Sequence, residues 1–286
     1  MITSGGARTI RRLYISDLDG TLLNSQAEVM DRTAEIINTL TEQGMEFSVA
    51  TARSIYSVKP ITAKLGINAP CLLMNGVSMY DLRADRYIYS ESIPTDAQRR
   101  IIDIFHESGV SCFMYKVREG LLAAYYEKIT THVMNSFAEA RKNKYNKPFV
   151  QCGNMLDEAD CGTIYFTAVD EREILLPVKE AVAGIEGADF TFYEDTYTHK
   201  WYLEIFSDRA SKANGLKRLR SDFGYDEIIC FGDNLNDLSM FAEADLKIAV
   251  ENARPEVKAA ADTVIGSNDE DGVAEWLMKN VKAIPH

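Results

Sequence analysis

The stretch Leu13–Thr21 reads Leu-Tyr-Ile-Ser-Asp-Leu-Asp-Gly-Thr and decides the fold of this chain. Its first three residues are apolar and too few for a helix, which predicts a short strand buried on both faces in a parallel sheet. Open α/β sheets bind their ligands at the carboxyl ends of such strands. In an extended segment, residues i and i+2 point the same way, so we expect Asp17 and Asp19 to face one pocket.

These two aspartates also indicate what the pocket must contain. Carboxylates this close repel each other, and each disfavours ionisation of the other unless a cation lies between them. The sequence therefore predicts either a divalent metal ion or a shared proton at Asp17 and Asp19. Gly20 follows directly and allows the tight turn by which the chain leaves the strand.

The composition limits the classes of protein to consider. The chain has 286 residues, enough for one large domain or two smaller ones, and a formal net charge of −12, which argues against a nucleic-acid-binding protein. No apolar run approaches the ~18 residues of a membrane span, and the segment before Arg12 lacks the apolar core of a secretory signal. The five cysteines form no Cys-x-x-Cys pair and indicate reduced thiols in a cytoplasmic protein, with a Cys152–Cys161 disulfide as the weaker alternative.

Strand and helix patterns alternate at both ends of the chain. After the opening strand they predict a helix over 29–43, a strand over 45–50, a helix over 56–65 and a strand over 71–74. The same alternation returns after Ser207, with predicted helices over 210–223, 236–242 and 273–281 and strands over 227–231, 247–250 and 263–265. Such alternation is typical of a parallel α/β sheet with right-handed crossovers.

The middle of the chain has a different pattern, in which single helices are followed by pairs of strands. It predicts helices over 96–106, 129–142 and 171–185, with strands within 111–126, 162–169 and 190–206. This pattern is typical of an α+β domain. We therefore predict a Rossmann-like α/β core formed by residues 1–91 and 208–286, interrupted by an α+β domain of residues 92–207.

Polar residues follow several of the predicted parallel strands. Thr51, Asn75 and Asp233 each follow a strand, as Asp17 and Asp19 do, and such residues converge on one crevice. Lys212, near the start of a helix, would add a cation, and the segment Gly232–Asp237 (Gly-Asp-Asn-Leu-Asn-Asp) adds further carboxylates. An acidic pocket with one lysine and a hydroxyl suits Mg²⁺, a hard ion that prefers carboxylate and water and is typically shared with a phosphate.

In order and spacing, these residues resemble the four motifs of the haloacid dehalogenase (HAD) superfamily of phosphotransferases: Asp17–Thr21, Thr51, Lys212 and Gly232–Asp237. The inserted segment resembles the type-IIB cap of the Cof-like sugar-phosphate phosphatases. The chain has Ala52 where glycine is commoner in the family, which leaves Thr51 and its amide in place. The resemblance implies a cytoplasmic, Mg²⁺-dependent phosphatase that hydrolyses small phosphomonoesters such as sugar phosphates. The expected partner is that small phosphate ester, with no nucleic acid or membrane, and the expected state is a monomer or a weak homo-oligomer.

The resemblance also implies a role for each matching residue. Asp17 is expected to be the nucleophile that forms an aspartyl-phosphate, and Asp19 the general acid and base; Lys212 would be the catalytic cation. The implied ligands of Mg²⁺ are Asp17, the backbone carbonyl of Asp19, and Asp233, with Asn234 and Asp237 as further candidates that bind it directly or act through its surroundings. The residues implied to hold the phosphoryl group or the substrate are Leu18, Thr51, Ala52, Arg53, Asn75, Gly76, Lys212 and Asn236.

Two other functions remain open at this point. A phosphomutase would use the same aspartyl-phosphate but return the phosphoryl group to a second hydroxyl, for which it needs a cap that excludes water and an activating bisphosphate. A non-catalytic, phosphosugar-binding regulatory protein would keep the pocket but lose the nucleophile or the acid. The presence of Asp17, Asp19, Lys212 and Asp233 counts against the regulatory protein.

Overall fold

The computed structural model describes residues 10–195 and 199–281, which form two compact units. One unit combines Met1–Asp85 with Ser211–His286, and the other is Arg86–Ala210, so the second unit interrupts the first in sequence. The sequence places the corresponding boundaries at 91/92 and 207/208. The sequence predicts no secretory signal before Arg12. Residues 1–9, most of that segment, lie outside the described part of the chain.

A five-stranded parallel sheet forms the centre of the first unit. Its strands, numbered in chain order, are β1 (Arg12–Ser16), β2 (Glu46–Val49), β12 (Glu227–Gly232), β13 (Leu246–Val250) and β14 (Thr263–Ile265), arranged in the order β14-β13-β12-β1-β2. Ile15 of β1 pairs with Cys230 on one side and Ser48 on the other. Leu13 and Ile15 are fully buried, as predicted for a strand inside a parallel sheet.

Helices and one hairpin complete the first unit. The helices are α1 (Asp31–Glu42), α2 (Ile55–Ile61), α7 (Lys212–Phe223), α8 (Asp237–Phe241), α9 (Pro255–Ala260) and α10 (Gly272–Asn280), and the hairpin joins β3 (Cys71–Leu73) to β4 (Ser78–Asp81). The helix predicted over 56–65 is shorter: it contains Pro60 and ends at Ile61. The sequence patterns do not predict the short helix α9, although Pro255 stands in its first turn, where proline is tolerated.

A six-stranded mixed sheet forms the centre of the second unit. Its strands are β6 (Phe113–Arg118), β7 (Leu121–Tyr126), β8 (Phe149–Gln151), β9 (Thr163–Asp170), β10 (Ala188–Glu194) and β11 (Trp201–Ser207), in the order β10-β11-β9-β6-β7-β8. Neighbours are antiparallel except β7 and β8, which run parallel. The unit also contains β5 (Arg86–Ser90), α3 (Thr95–Ser108), α4 (His132–Tyr145), α5 (Met155–Glu158) and α6 (Arg172–Val182). The predicted α/β core with an inserted α+β domain is confirmed.

In each strand of this mixed sheet, successive side chains point to opposite faces. Phe166, Leu203 and Ile205 lie in a buried apolar cluster with residues of α3 and α6, such as Ile102 and Leu175. Their sequence neighbours Tyr165 and Glu204 therefore point to the opposite face. That second face is rich in tyrosine.

Two further expectations can be compared with the described residues. None of the helices within 10–195 and 199–281 is both long and apolar enough to cross a membrane. All five cysteines are free thiols, so the alternative of a Cys152–Cys161 disulfide is wrong.

Candidate active site

A buried ion cluster lies at the carboxyl end of the parallel sheet. The chain leaves β1 at Asp17, whose amide donates to the carbonyl of Phe231 in β12 at 3.0 Å. Lys212, the first residue of α7, donates from Nζ to Oδ1 of Asp17 at 2.6 Å and to Oδ1 of Asp237 at 2.7 Å. The three charged residues are almost inaccessible to solvent, with exposed fractions of 6% for Asp17, 1% for Lys212 and 0% for Asp237. One ammonium thus faces two carboxylates in the protein interior.

The protonation of this cluster follows from burial and from its own charges. Burial raises the pKa of Asp17 well above its ordinary value; Lys212 opposes this rise, whereas Asp237 and Asp233 add to it. Burial alone would lower the pKa of Lys212, but Asp17 and Asp237 outweigh that effect and raise it. Lys212 therefore stays charged, and a second cation next to Asp17 would favour its ionised form.

A third carboxylate, that of Asp233, lies beside the cluster at the end of β12. Thr21 donates from Oγ1 to Oδ1 of Asp233 at 2.7 Å. Burial raises the pKa of Asp233 to about 6, with Asp237 and Asp19 adding to the rise and the Thr21 hydrogen bond opposing it. The turn that brings Thr21 here has φ +78° at Gly20, where a Cβ atom would lie only 2.5 Å from Oδ2 of Asp233. The close approach therefore requires glycine.

These carboxylates can hold a divalent cation. Ligand oxygens of Asp17, Asp233 and Asp237 lie within 4.8 Å of one another, and carboxylate oxygens are the ligands that hard divalent cations prefer. The oxygens of Asp237 are already committed, Oδ1 to Lys212 and Oδ2 to the amides of Asp233 and Asn234 at 3.0 Å each. The donor set therefore fits a cation held by Asp17 and Asp233, with Asp237 fixing the positions of both Lys212 and the loop.

Asp19 is placed differently from Asp17. Its side chain is half exposed and accepts two hydrogen bonds from Arg53, from Nε at 2.6 Å and from Nη2 at 2.5 Å. The alternation of an extended strand does not govern this pair because β1 ends at Ser16, before either aspartate. The negative charge of Asp19 still contributes to the raised pKa of Asp233, so the two carboxylates remain electrostatic neighbours.

The other residues singled out in the sequence line the surrounding loops. Thr51 is buried, and its Oγ1 accepts from the amide of Arg53 at 3.1 Å. Asn236 donates from Nδ2 to Oδ1 of Asn75 at 3.2 Å, which joins the loops after β3 and β12. Three residues of the predicted set remain. Leu18 is buried, and its carbonyl accepts hydrogen bonds from three backbone amides. Ala52 is exposed, and the side-chain oxygen of Asn234 accepts from the backbone amide of Leu235.

Gly76 positions the helix that carries Lys212. It has φ +91°, and a Cβ atom there would lie 2.2 Å from the carbonyl oxygen of Ser211. Ser211 is the N-cap of α7, since its side chain accepts from the amide of Asn214 at 3.0 Å. Only glycine at position 76 allows the start of α7 to come this close to the loop after β3.

Two asparagines of the site's surroundings were not predicted. Asn252 donates from Nδ2 to the carbonyl of Gly20 at 2.7 Å, and Asn268 donates from Nδ2 to the carbonyl of Leu23 at 2.8 Å. The amide of Asn268 in turn donates to Oδ1 of Asn252 at 3.1 Å. Together they hold the turn that follows Asp19. No local pattern marks them, because their contacts with Gly20 and Leu23 join residues more than two hundred positions apart in the chain.

Comparison with known proteins identifies the family to which this arrangement belongs. The family model described as haloacid dehalogenase-like hydrolase matches residues 14–277, which include the buried ion cluster and the whole inserted unit. The chain belongs to this family. As a haloacid dehalogenase-like hydrolase it is a phosphatase, an enzyme that hydrolyses phosphoric monoesters.

Individual relatives of this HAD hydrolase agree in length and fold. The pyridoxal phosphate phosphatase YbhA of Escherichia coli is 24% identical over 280 residues, which cover 94% of this chain and 98% of the relative. The crystal structure of TM0651 from Thermotoga maritima has a TM-score of 0.79 at 27% identity, covering 96% of this chain and 99% of that one. The HAD subclass IIB sugar phosphatase BT4131 has a TM-score of 0.67 at 22% identity, covering 94% and 98%, and its likeness concerns the fold. The resemblance to the Cof-like, type-IIB group is thereby confirmed.

The contact at Gly76 yields a prediction about the position of Lys212. If Lys212 is the catalytic cation that the resemblance implies, we expect Gly76→Ala to reduce kcat for phosphate release about 100-fold, because displacement of a catalytic group by ~1 Å costs that much. Gly109→Ala is the matched control: Gly109 has φ +66° but nothing within 4 Å of a Cβ atom. Both variants place alanine at a positive φ, and only Gly76→Ala collides with Ser211. Steady-state kinetics with an aryl phosphate, beside a thermal melt of each variant, measure the difference; equal activities would contradict the positioning role.

Proposed function

We propose that the protein hydrolyses small phosphomonoesters, such as sugar phosphates or related metabolites, with Mg²⁺ and through an aspartyl-phosphate on Asp17. The observation that carries this proposal is the buried contact of Lys212 with Asp17 and Asp237, with Asp233 beside them. A carboxylate at the end of a central strand, held by an ammonium and surrounded by oxygen ligands, suits phosphoryl transfer. The relationship to a pyridoxal phosphate phosphatase supports a phosphorylated metabolite as the substrate.

The charges of the site explain why a cation is needed. With Lys212 protonated and Asp17, Asp233 and Asp237 ionised, the cluster carries an excess of two negative charges, which would repel a phosphate dianion. Asp17 and Asp233 would hold Mg²⁺, whose two positive charges would offset this excess and polarise the phosphoryl oxygens. Oxygen ligands at these positions, with no sulfur ligand among them, favour a hard ion of this kind.

The proposed first step uses the carboxylate of Asp17. One of its oxygens attacks phosphorus, and the bond from phosphorus to the leaving oxygen breaks, while Lys212 holds the carboxylate in place. In the second step water attacks the phosphorus of the aspartyl-phosphate, which releases inorganic phosphate and restores the Asp17 carboxylate. Lys212 stabilises the charge that gathers on the phosphoryl oxygens, a contribution of ~4 kcal/mol per unit charge at a separation near 4 Å in a partly screened site.

Asp19 would transfer the protons of both steps, and its contact with Arg53 affects when it can do so. The leaving alkoxide takes a proton from Asp19, and Asp19 then takes one from the attacking water. In the structure both oxygens of Asp19 accept hydrogen bonds from Arg53, so Asp19 donates a proton only after this contact opens. A phosphoryl group offers Arg53 an alternative anionic partner, which reconciles the ion pair with the role of Arg53 in substrate binding.

The remaining residues would bind the substrate. Thr51, Asn236 and the backbone amides of Leu18 and Ala52 are placed on loops at the sheet end and would donate to the phosphoryl oxygens, with Asn75 and Gly76 forming the adjoining wall. We infer that the protein acts on a small phosphate ester as a monomer or weak homo-oligomer. We also infer that it acts in the cytoplasm, where its five free thiols fit the reducing conditions.

The proposal is tested by phosphate release from a panel of sugar phosphates, pyridoxal phosphate, nucleotides and an aryl phosphate. We expect release that needs Mg²⁺, stops with a chelator and falls by at least about 10³-fold in Asp17→Asn, because the nucleophile is lost. Release that survives in Asp17→Asn would show that Asp17 is not the nucleophile. Absence of release by the wild-type protein, together with phosphate exchange between hydroxyls of a sugar bisphosphate, would favour a phosphomutase.

Asp19→Asn separates the two proposed steps. An aryl phosphate has a good leaving group and needs little help from an acid, whereas hydrolysis of the aspartyl-phosphate needs the base. We therefore expect Asp19→Asn to release a burst of about one equivalent of the aryl alcohol and then turn over at least about 100-fold more slowly than the wild type. Rapid-quench kinetics measure the burst, and Asp17→Asn is the control that lacks it. Steady turnover by Asp19→Asn without a burst would count against its role as the base.

The raised pKa of Asp233 predicts how Mg²⁺ binding depends on pH. Protons and Mg²⁺ compete for this carboxylate, so the apparent affinity is expected to fall as pH drops below about 6, the pKa of Asp233, by up to about tenfold per pH unit. The Thr21 hydrogen bond lowers this pKa, so Thr21→Val should move the midpoint to higher pH. Calorimetric titration with Mg²⁺ between pH 5 and about 8 measures both midpoints. A midpoint that Thr21→Val leaves in place or moves downward would contradict this assignment.

A further inference from the structure

The turn that follows Asp19 contains the residue type with the greatest backbone freedom. Gly20 has φ +78°, and glycine is required there because a Cβ atom would lie 2.5 Å from Oδ2 of Asp233. Without a side chain, glycine can adopt backbone conformations that are closed to other residues, so its own sterics do not fix the chain. The position of the backbone at Gly20 therefore depends on contacts from neighbouring segments.

Asn252 supplies such a contact. It lies just after β13 and donates from Nδ2 to the carbonyl of Gly20 at 2.7 Å. The next amide along the chain, that of Thr21, donates to the carbonyl of Leu18 at 3.3 Å. The carbonyl of Gly20 and the amide of Thr21 belong to one planar peptide unit, so the two hydrogen bonds hold both ends of that plane. A rotation of this peptide unit would break both of them.

Asn268 supports Asn252 from the segment after β14. Its backbone amide donates to Oδ1 of Asn252 at 3.1 Å, which leaves the Nδ2 donor of Asn252 directed at Gly20. Its own side chain donates from Nδ2 to the carbonyl of Leu23 at 2.8 Å, and the amide of Leu23 donates to the carbonyl of Leu18 at 2.9 Å. The turn is thus closed from within by Leu18 and held from outside by two asparagines.

The loop that carries Asn252 also contacts the other loop of the site. Two residues further on, the amide of Arg254 donates to the carbonyl of Asp233 at 2.9 Å. The side chain of Asp233 in turn accepts from Thr21 at 2.7 Å. One loop after β13 therefore holds the backbone of the turn after Asp19 and the backbone of the loop after β12.

We propose that Asn252 is a positioning residue for the phosphatase reaction and that it places Asp19 by fixing the carbonyl of the adjoining Gly20. This role rests on the proposed function, in which Asp19 transfers the protons. Arg53 also holds the side chain of Asp19, but Asp19 donates a proton only after that contact opens. From then on the backbone of the turn determines where the carboxyl group of Asp19 lies. Asn252 acts at that stage, through the backbone.

The dependence of the rate on the leaving group separates misplacement of an acid from loss of stability. Phenolate is a stronger base than 4-nitrophenolate, so phenyl phosphate needs the acid more than 4-nitrophenyl phosphate does, although the two esters differ little in shape. We expect Asn252→Ala to lower kcat/KM for phenyl phosphate at least about tenfold more than for 4-nitrophenyl phosphate, because the acid no longer lies at the leaving oxygen. A ratio of the two kcat/KM values equal to that of the wild type would overturn the proposal.

Asn68→Ala is the matched control. Asn68 donates from Nδ2 to the carbonyl of Met45 at 2.8 Å and accepts from the amide of Phe47 at 2.8 Å, the same pair of bonds that Asn252 makes, but near the amino end of β2. We expect this variant to lower the Tm and to keep the wild-type ratio. Asn252→Gln retains the amide donor at an exposed position and should recover most of the ratio. An equal change of ratio in Asn68→Ala, or no recovery in Asn252→Gln, would count against the positioning role.

Hydrogen exchange tests the contact without relying on catalysis. Loss of the bond from Asn252 frees the peptide unit, so the amide of Thr21 should exchange roughly fivefold faster in Asn252→Ala, as expected for one hydrogen bond, and at the wild-type rate in Asn68→Ala. Exchange followed by NMR measures this single amide. If the wild type releases no phosphate, or if Asp19→Asn keeps the wild-type ratio, the proposed function fails, and the exchange rate alone decides whether Asn252 fixes the turn. An unchanged exchange rate in Asn252→Ala would overturn the proposal whatever the kinetics.

Discussion

The contact of Lys212 with Asp17 and Asp237 is the interaction on which the rest of the first unit depends. Burying an ammonium group is costly unless other groups replace its hydration, and here two carboxylates do so at 2.6 and 2.7 Å. The three partners come from the end of β1, the start of α7 and the loop after β12, so one ion cluster fixes three segments that are far apart in sequence. The second oxygen of Asp237 binds two amides of its own loop and thereby also sets the position of Asp233.

This cluster explains the glycines around it. The chain segments approach one another so closely that a Cβ atom would lie 2.5 Å from Asp233 at Gly20 and 2.2 Å from Ser211 at Gly76. Larger residues would push apart the carboxylates and the lysine that the fold brings together. The sheet supplies the strand ends, and the absence of side chains at these positions lets them converge. The geometry of the site therefore depends as much on glycines, which have no side chain, as on charged groups.

Most of the core and of the ion cluster could be predicted from sequence, because the signals are local. Leu13–Ile15 reads as a buried strand, Asp17 and Asp233 follow strands, and Asp237 belongs to the same short acidic segment as Asp233. The ion pair of Asp19 with Arg53 could not be predicted, since it depends on how the chain turns after Ser16. The contacts of Asn252 and Asn268 join distant parts of the chain. Helix α5 and strand β8 have four and three residues, too short for a periodic pattern.

The three buried lysines show how charge is distributed between the two units. Around Lys212 the carboxylates outnumber the cation, which makes that site a place for a divalent metal ion. Lys116 has two carboxylates, one of which Arg118 also binds at 2.8 Å, so its surroundings are balanced. Lys147 lies instead against an aromatic ring: its Nζ is 4.0 Å from the centroid of the Tyr115 ring, whose negative face attracts a cation. Carboxylates thus stabilise two of these lysines and an aromatic ring contacts the third. Among the three clusters, that of Lys212 is the one in which carboxylates exceed cations, which is why a divalent cation fits there and not at the other two.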